Sequence, residues 1–185
     1  MARTRKPTEP FRVIVADCPW DFGDSLPGGT RGAVRQYATL GDLALARYPL
    51  PPIAADALLF FWQVSAKPQS ALDVVRAWGF EVKTQIAWVK TTSGGKLHFG
   101  MGRILRGAHE TCLVAARGRY APHVLDKTIR TVLIAPVGKH SEKPDAFYDL
   151  VERIYPGPRC ELFARTHREG WVSYGLELEG GEEHP

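Results

Sequence analysis

The chain has 185 residues, 44% hydrophobic and 24% charged, with a formal net charge of +4. This composition predicts one soluble globular domain long enough to bury a full core, and no apolar run approaches the about 20 residues of a membrane span. Cys18, Cys112 and Cys160 are scattered, odd in number and without metal-ligand spacing, which predicts no metal site and a reduced, cytoplasmic protein. Residues 1–10 read as a basic extension without the apolar core of a secretory signal. Glu177, Glu179, Glu182 and Glu183 load the tail, so the body is more basic than the total. That suits a polyanionic partner, and it equally suits a mildly basic soluble protein.

Val13, Ile14 and Val15 form a continuous apolar run, the pattern of a strand buried on both faces. The run ends at Ala16, and Asp17 follows. Pro19 cannot continue a central strand and pushes Cys18 toward extended backbone. The chain therefore leaves the sheet presenting a carboxylate, two backbone carbonyls expected to be free of ladder bonding, and the indole of Trp20. Ligands of open α/β sheets sit at the carboxyl ends of strands. This set of groups suits a planar base carrying an amino group, and it equally suits a plain strand exit with a core tryptophan.

A Gly-rich segment carrying Arg31 and Arg35 follows and reads as a lid loop. Residues 40–47 predict a short helix, stopped by Pro49, Pro51 and Pro52. Residues 57–62 predict a second buried strand. Ser65 and Pro68 suit a helix start, with Ala71, Val74, Val75 and Trp78 buried and Gly79 ending it. Residues 80–89 return as a third strand. The segment 90–110 holds five glycines and the cations Lys90, Lys96, Arg103 and Arg106. It is read either as a phosphate-contacting loop or as a flexible, solvated one.

Residues 111–116 and 131–135 predict two further strands. Lys139 to Pro144 opens a helix whose apolar positions Phe147, Leu150, Val151 and Ile154 fall at helical spacing. A helix N-terminus favours anions, and Lys143 adds to that. Residues 160–164 form a last core strand, followed by Arg165, His167 and Trp171. Residues 179–185 read as an acidic disordered tail. Strands alternating with helices over 11–178 predict one three-layer α/β domain with a largely parallel sheet. No G-x-G-x-x-G fingerprint and no Walker loop is present, which disfavours dinucleotide and nucleoside triphosphate sites.

Val-Ile-Val-Ala-Asp17-Cys18-Pro19-Trp20 resembles the DPPW motif of the MT-A70 family of N6-adenine methyltransferases, with Cys18 in place of the first proline. Leu-Phe-Phe-Trp62, Ala77-Trp-Gly-Phe80 and Ile86-Ala-Trp-Val-Lys90 resemble the family's middle strands and helix. Arg106-Gly-Ala-His-Glu110 resembles its segment ending in an acidic residue near the target base. His140-Ser141-Glu-Lys143-Pro144 and Glu161-Leu-Phe163-Ala-Arg165 resemble its Lys-Pro helix start and its cofactor strand. The resemblance runs from about Phe11 to Glu179. It implies a Rossmann-like methyltransferase fold with circularly permuted motif order and S-adenosylmethionine as methyl donor. The compact form is similar to bacterial and phage members, which points to DNA ahead of RNA, as a monomer or homodimer. The start so close to the motif strand predicts that the N-terminal segment touching the cofactor adenine in larger relatives is missing here.

The resemblance also implies roles. Asp17 and the carbonyls of Cys18 and Pro19 would hold the exocyclic amine of adenine, with Trp20 stacked on the base. Asp17, His140, Ser141, Lys143, Glu161, Phe163, Arg165, His167 and the Leu176 position would hold the cofactor, with Arg165 and His167 at its ribose. Trp20, Arg31, Arg35, Lys96, Arg103, Arg106 and Glu110 would hold the nucleic acid. Lys143 as a plain helix-start cation and His167 as a surface histidine are the plainer readings. Leu176 stands where the family usually has asparagine. That departure and Cys18 motivate an alternative, a catalytically inactive nucleic-acid-binding paralogue or subunit. Methyl transfer to the cytosine amine is a further alternative.

Overall fold

The computed structural model describes residues 9–21, 40–102, 104–138 and 142–175. The expected lid with Arg31 and Arg35, together with Arg103, His140, Ser141, Leu176 and the acidic tail, lies outside the described residues. So does most of the basic extension.

The described chain builds a seven-stranded sheet with helices on both faces. Its elements in order are β1 (Phe11–Ala16), α1 (Asp42–Ala46), β2 (Ile53–Gln63), α2 (Pro68–Ala77), β3 (Glu81–Thr91), β4 (His109–Arg117), β5 (Val132–Pro136), α3 (Asp145–Ile154), β6 (Arg159–Leu162) and β7 (Trp171–Tyr174). The strand order is β5-β3-β4-β2-β1-β6-β7. Strand β1 pairs in parallel with β2 and β6, β6 with β7, and β3 with β5. Strand β4 runs antiparallel to both β2 and β3. The sheet is thus mostly parallel, with one inserted antiparallel strand, in a Rossmann-like three-layer arrangement.

Strand β1 lies inside the sheet, between β2 and β6, and its continuous apolar run has a simple cause. Ile14 and Ala16 join the core under α1 and α2, while Val13 and Val15 join the core under α3. Val13, Ile14 and Val15 have no measurable exposure. Each such buried side chain contributes roughly 1.5–3 kcal/mol relative to exposure. Helix α2 starts on Pro68, whose fixed φ suits the first turn, and buries Ala71, Val74 and Val75 on one stripe. The Trp78 indole donates to the Leu45 carbonyl at 2.9 Å, tying α2 to α1. Helix α3 buries Phe147, Leu150 and Val151.

Three expectations are corrected. Strand β7 was not foreseen; its four buried residues include a serine and make no apolar run to read. Helix α3 begins at Asp145, not within 139–144, because Pro144 is extended at the N-cap and disfavours helical backbone at Lys143. Segment 90–110 is not one long loop: β3 continues to Thr91 and β4 begins at His109. Between them the chain folds back, with Thr91 bridged to Leu97 and the His98 N–H donating to the Lys90 carbonyl at 2.8 Å.

Candidate active site

The carboxyl ends of β1, β2, β3 and β6 share one edge of the sheet. Because β4 is antiparallel, its first residues arrive at that same edge: Gln63 lies opposite Thr111 and Trp88 opposite Glu110. The edge therefore collects Asp17 after β1, Lys90 near the end of β3, Glu110 at the start of β4, and Lys143 just before α3.

These four side chains form a row of alternating charge. The Lys143 ammonium donates to Asp17 Oδ2 at 2.7 Å and lies 3.3 Å from Glu110 Oε2. Lys90 donates to the other Glu110 oxygen. Lys143 is 7% exposed, with its ammonium 4.9 Å from the centre of the Trp62 ring. Burial works against its charge, but Asp17 and Glu110 outweigh burial and raise its pKa. Burial likewise opposes ionisation of Glu110, and Lys143 and Lys90 overcome it, lowering its pKa. A buried ammonium between two carboxylates is tolerated because each charge faces its opposite.

Two cavities meet at Asp17, Lys143 and Arg165. One, of about 390 Å³, is also lined by Cys18, Trp20, Trp62, Lys90, His98, Met101 and Glu110. The indole nitrogens of Trp20 and Trp62 are buried beside it, with no hydrogen-bond partner among the described residues. The other, of about 310 Å³, is also lined by Tyr148, Glu161, Phe163, His167 and Arg168. Glu161 is 8% exposed and accepts a 2.7 Å hydrogen bond from the Tyr148 hydroxyl. Burial, chiefly, pushes its pKa up to about 7, against the Tyr148 hydrogen bond. Phe163 stands at φ 60°, left-handed backbone that a phenylalanine avoids. That turn ends β6 and carries the chain toward Arg165 in both cavities. Strain of this kind clusters at functional sites.

The Cys18 and Pro19 carbonyls are not free. The Cys18 carbonyl accepts from Trp20 N–H at 3.0 Å and the Pro19 carbonyl from Leu40 N–H at 2.8 Å. Each keeps one lone pair for a ligand. The tight turn also carries the Trp20 indole inward. It is 2% exposed, edge-on to Phe61 with ring centres 6.2 Å apart. Trp20 is thus a wall of the first cavity embedded in the core, not an open plate. Burial, first, and then Asp17 raise the Cys18 thiol well above its ordinary pKa, so it is no thiolate nucleophile.

The structure therefore brings Asp17, Cys18, Trp20, Lys143, Glu110 and Arg165 to one cavity, and Asp17, Lys143, Glu161, Phe163, Arg165 and His167 to the other. Lys96 and Arg106 are exposed and outside both linings. Sequence reading missed Tyr148 and Arg168. The Arg168 guanidinium lies 5.0 Å from the Tyr148 ring centre and ion-pairs with Asp145, Asp149 and Glu152. Carboxylates at 145, 149 and 152, on one α3 face, were the available signal.

The MT-A70 family model matches residues 11–177. This chain belongs to the MT-A70 family. The MT-A70 chain is 33% identical over 176 residues to the human N(6)-adenosine-methyltransferase catalytic subunit METTL3, covering 92% of this chain and 28% of that protein. It is 34% identical over 175 residues to an Arabidopsis thaliana N(6)-adenosine-methyltransferase MT-A70-like protein, covering 92% and 24%. It spans only about a quarter of those relatives. It is 30% identical over 190 residues to the Type II methyltransferase M.MunI of Mycoplasma sp, covering 93% of this chain and 79% of that protein. S-adenosylmethionine is the methyl donor of MT-A70 methyltransferases. The second cavity fits that group: a buried carboxylate suits a ribose diol, and Lys143 and Arg165 suit a carboxylate.

Proposed function

We propose that this chain transfers a methyl group from S-adenosylmethionine to the exocyclic N6 amine of adenine in nucleic acid, DNA ahead of RNA. The observation that carries the reading is Asp17, placed where the two cavities meet and held by Lys143. DNA is placed first on the likeness to the Type II methyltransferase M.MunI, with the N(6)-adenosine-methyltransferase relatives making RNA the alternative. Free, buried cysteines among the described residues suit a cytoplasmic enzyme.

S-adenosylmethionine, when bound, supplies an electrophilic methyl group on a sulfonium. In this reading Lys143 and Arg165 hold its carboxylate, and Glu161 and His167 its ribose. The adenine amine is a poor nucleophile because its lone pair is delocalised into the ring. Asp17 counters this. Its Oδ2 is fixed by Lys143, and Oδ1 accepts an amine hydrogen while the spare lone pair of the Pro19 carbonyl accepts the other. The nitrogen lone pair is then turned out of the ring plane toward the second cavity. Holding the two reactants in line supplies most of the acceleration. The excess amine proton passes to Asp17 Oδ1 or to water. Glu110 lines the base cavity and holds Lys90 and Lys143 there, whose ammonium groups are donors for the ring-nitrogen acceptors of the base. An adenine within a duplex enters only after being flipped out, at a cost of a few kcal/mol.

Transfer of labelled methyl from S-adenosylmethionine to adenine-containing DNA tests the reading. Wild type should label it. Asp17→Ala should fold, bind cofactor and fail to transfer. Equal transfer by Asp17→Ala would refute the assignment.

A further inference from the structure

The segment between β3 and β4 is a built hairpin that carries its largest apolar side chains outward. Thr92 N–H donates to the Lys96 carbonyl at 2.7 Å, and Gly100 N–H to the Gly107 carbonyl at 3.0 Å. A Cβ at Gly100 would lie 2.3 Å from the Gly107 carbonyl oxygen, and one at Gly102 would lie 1.9 Å from that of Leu105. Only glycine permits this fold. Yet Phe99 is 76% exposed, Met101 96%, Ile104 95% and Leu105 81%. An apolar patch of this kind marks an interaction site.

Its setting selects the partner. Residues 91–108 contain no carboxylate and carry Lys96 and Arg106. The Arg106 guanidinium lies 5.1 Å from the centre of the Phe99 ring. Cations interleaved with exposed aromatic and apolar groups are the chemistry of a nucleic-acid strand, phosphate outside and base faces inside. The same hairpin lines the 390 Å³ cavity with His98, Gly100, Met101 and Gly107. The hairpin thus stands at the rim of the cavity that would take the adenine, within reach of its neighbouring nucleotides.

We propose that the outward face of this hairpin, Phe99, Met101, Ile104 and Leu105, is the surface on which the bases flanking the target adenine pack, with Lys96 and Arg106 at their phosphates. The proposal rests on the adenine reading above. It adds a contact that carries affinity without charge, separable from phosphate binding. Proteins that remove a base from a stack commonly press apolar side chains into the gap.

The test is the affinity of mixed-sequence single-stranded DNA and RNA oligonucleotides containing adenine, measured across a salt series with S-adenosylmethionine present. Phe99→Ala and Met101→Ala should each weaken binding about tenfold, the scale of a lost stacked base. Their log–log salt slope should match that of wild type, whereas Lys96→Gln should lower the slope by about one. Cofactor affinity should be unchanged in all three. If wild type binds oligonucleotide and Phe99→Ala and Met101→Ala bind as tightly, the hairpin surface is refuted while the adenine reading stands. If wild type sediments as a dimer that Phe99→Ala dissociates without loss of oligonucleotide affinity, the patch joins two copies and the proposal is overturned. If wild type binds no oligonucleotide, the adenine reading fails and takes the hairpin proposal with it.

Discussion

Lys143 is the residue on which the site's charge balance turns. Its removal leaves Asp17 and Glu110 without the ammonium that bridges them, while Lys90 stays paired to Glu110. Lys143→Met should therefore cost on the order of 3 kcal/mol of stability, the scale for breaking a buried pair. Denaturant melts check this, and calorimetry should show weaker cofactor binding as well. An unchanged midpoint would mean that solvent already screens the row. Glu161 gives a pH signature. Its carboxyl is raised to about 7, and the carboxylate accepts from a ribose diol more strongly than the neutral acid. Cofactor affinity should thus rise with pH up to about 7 and level off above. The stability term runs the other way: the folded form holds this proton more tightly, so stability from this group falls as pH rises from the ordinary carboxylate range to about 7. Tyr148→Phe removes a hydrogen bond that favours the carboxylate, so the midpoint of the affinity profile should move to higher pH. An unmoved midpoint would disconnect Tyr148 from the site. Cys18→Ser should leave turnover within a few-fold, because the protonated thiol is assigned no chemistry; loss of activity in a folded protein would give the thiol a role.

At the scale of elements, β1 was legible because its apolar run is continuous, and the helix stripes because their residues repeat a period. Val13 to Val15 fill both faces of the sheet, and Phe147, Leu150 and Val151 one face of α3. Strand β7 and the Phe163 turn were not legible, since four residues with a serine among them make no apolar run and a strained φ leaves no mark in composition. The antiparallel direction of β4 was equally hidden, and it is what brings Glu110 to the site. The backbone depends on close approach at one more point. A Cβ at Gly175 would lie 2.1 Å from the Ala164 carbonyl oxygen, while Ala164 N–H donates to the Tyr174 carbonyl at 2.8 Å. Gly175→Ala should force the end of β7 away from the Arg165 turn. It should cost about 1–3 kcal/mol by overpacking and weaken cofactor binding, read by a melt and a titration. Wild-type values for both would show that the turn yields freely.

At the scale of the molecule, the function was legible as an ordered set of short stretches, whereas the pairing that joins them was not. Asp17 and Lys143 stand 126 positions apart, and one sequence carries no record of their contact. The motif residues also gave too open a picture of the site: the Cys18 and Pro19 carbonyls are engaged, and Trp20 is buried by the turn they close. Lys90, read as a phosphate contact, instead pins Glu110. Among the described residues read as phosphate contacts, Lys96 and Arg106 on the hairpin stay exposed. The central claim is methyl transfer to the adenine amine through Asp17. Mass spectrometry of nucleosides, from DNA and from RNA incubated separately with the protein and S-adenosylmethionine, tests it most directly. The account predicts N6-methylated adenine in the DNA digest, above that in RNA, and none with Asp17→Ala. No methylated adenine in either polymer, from a protein that binds the cofactor, would contradict it.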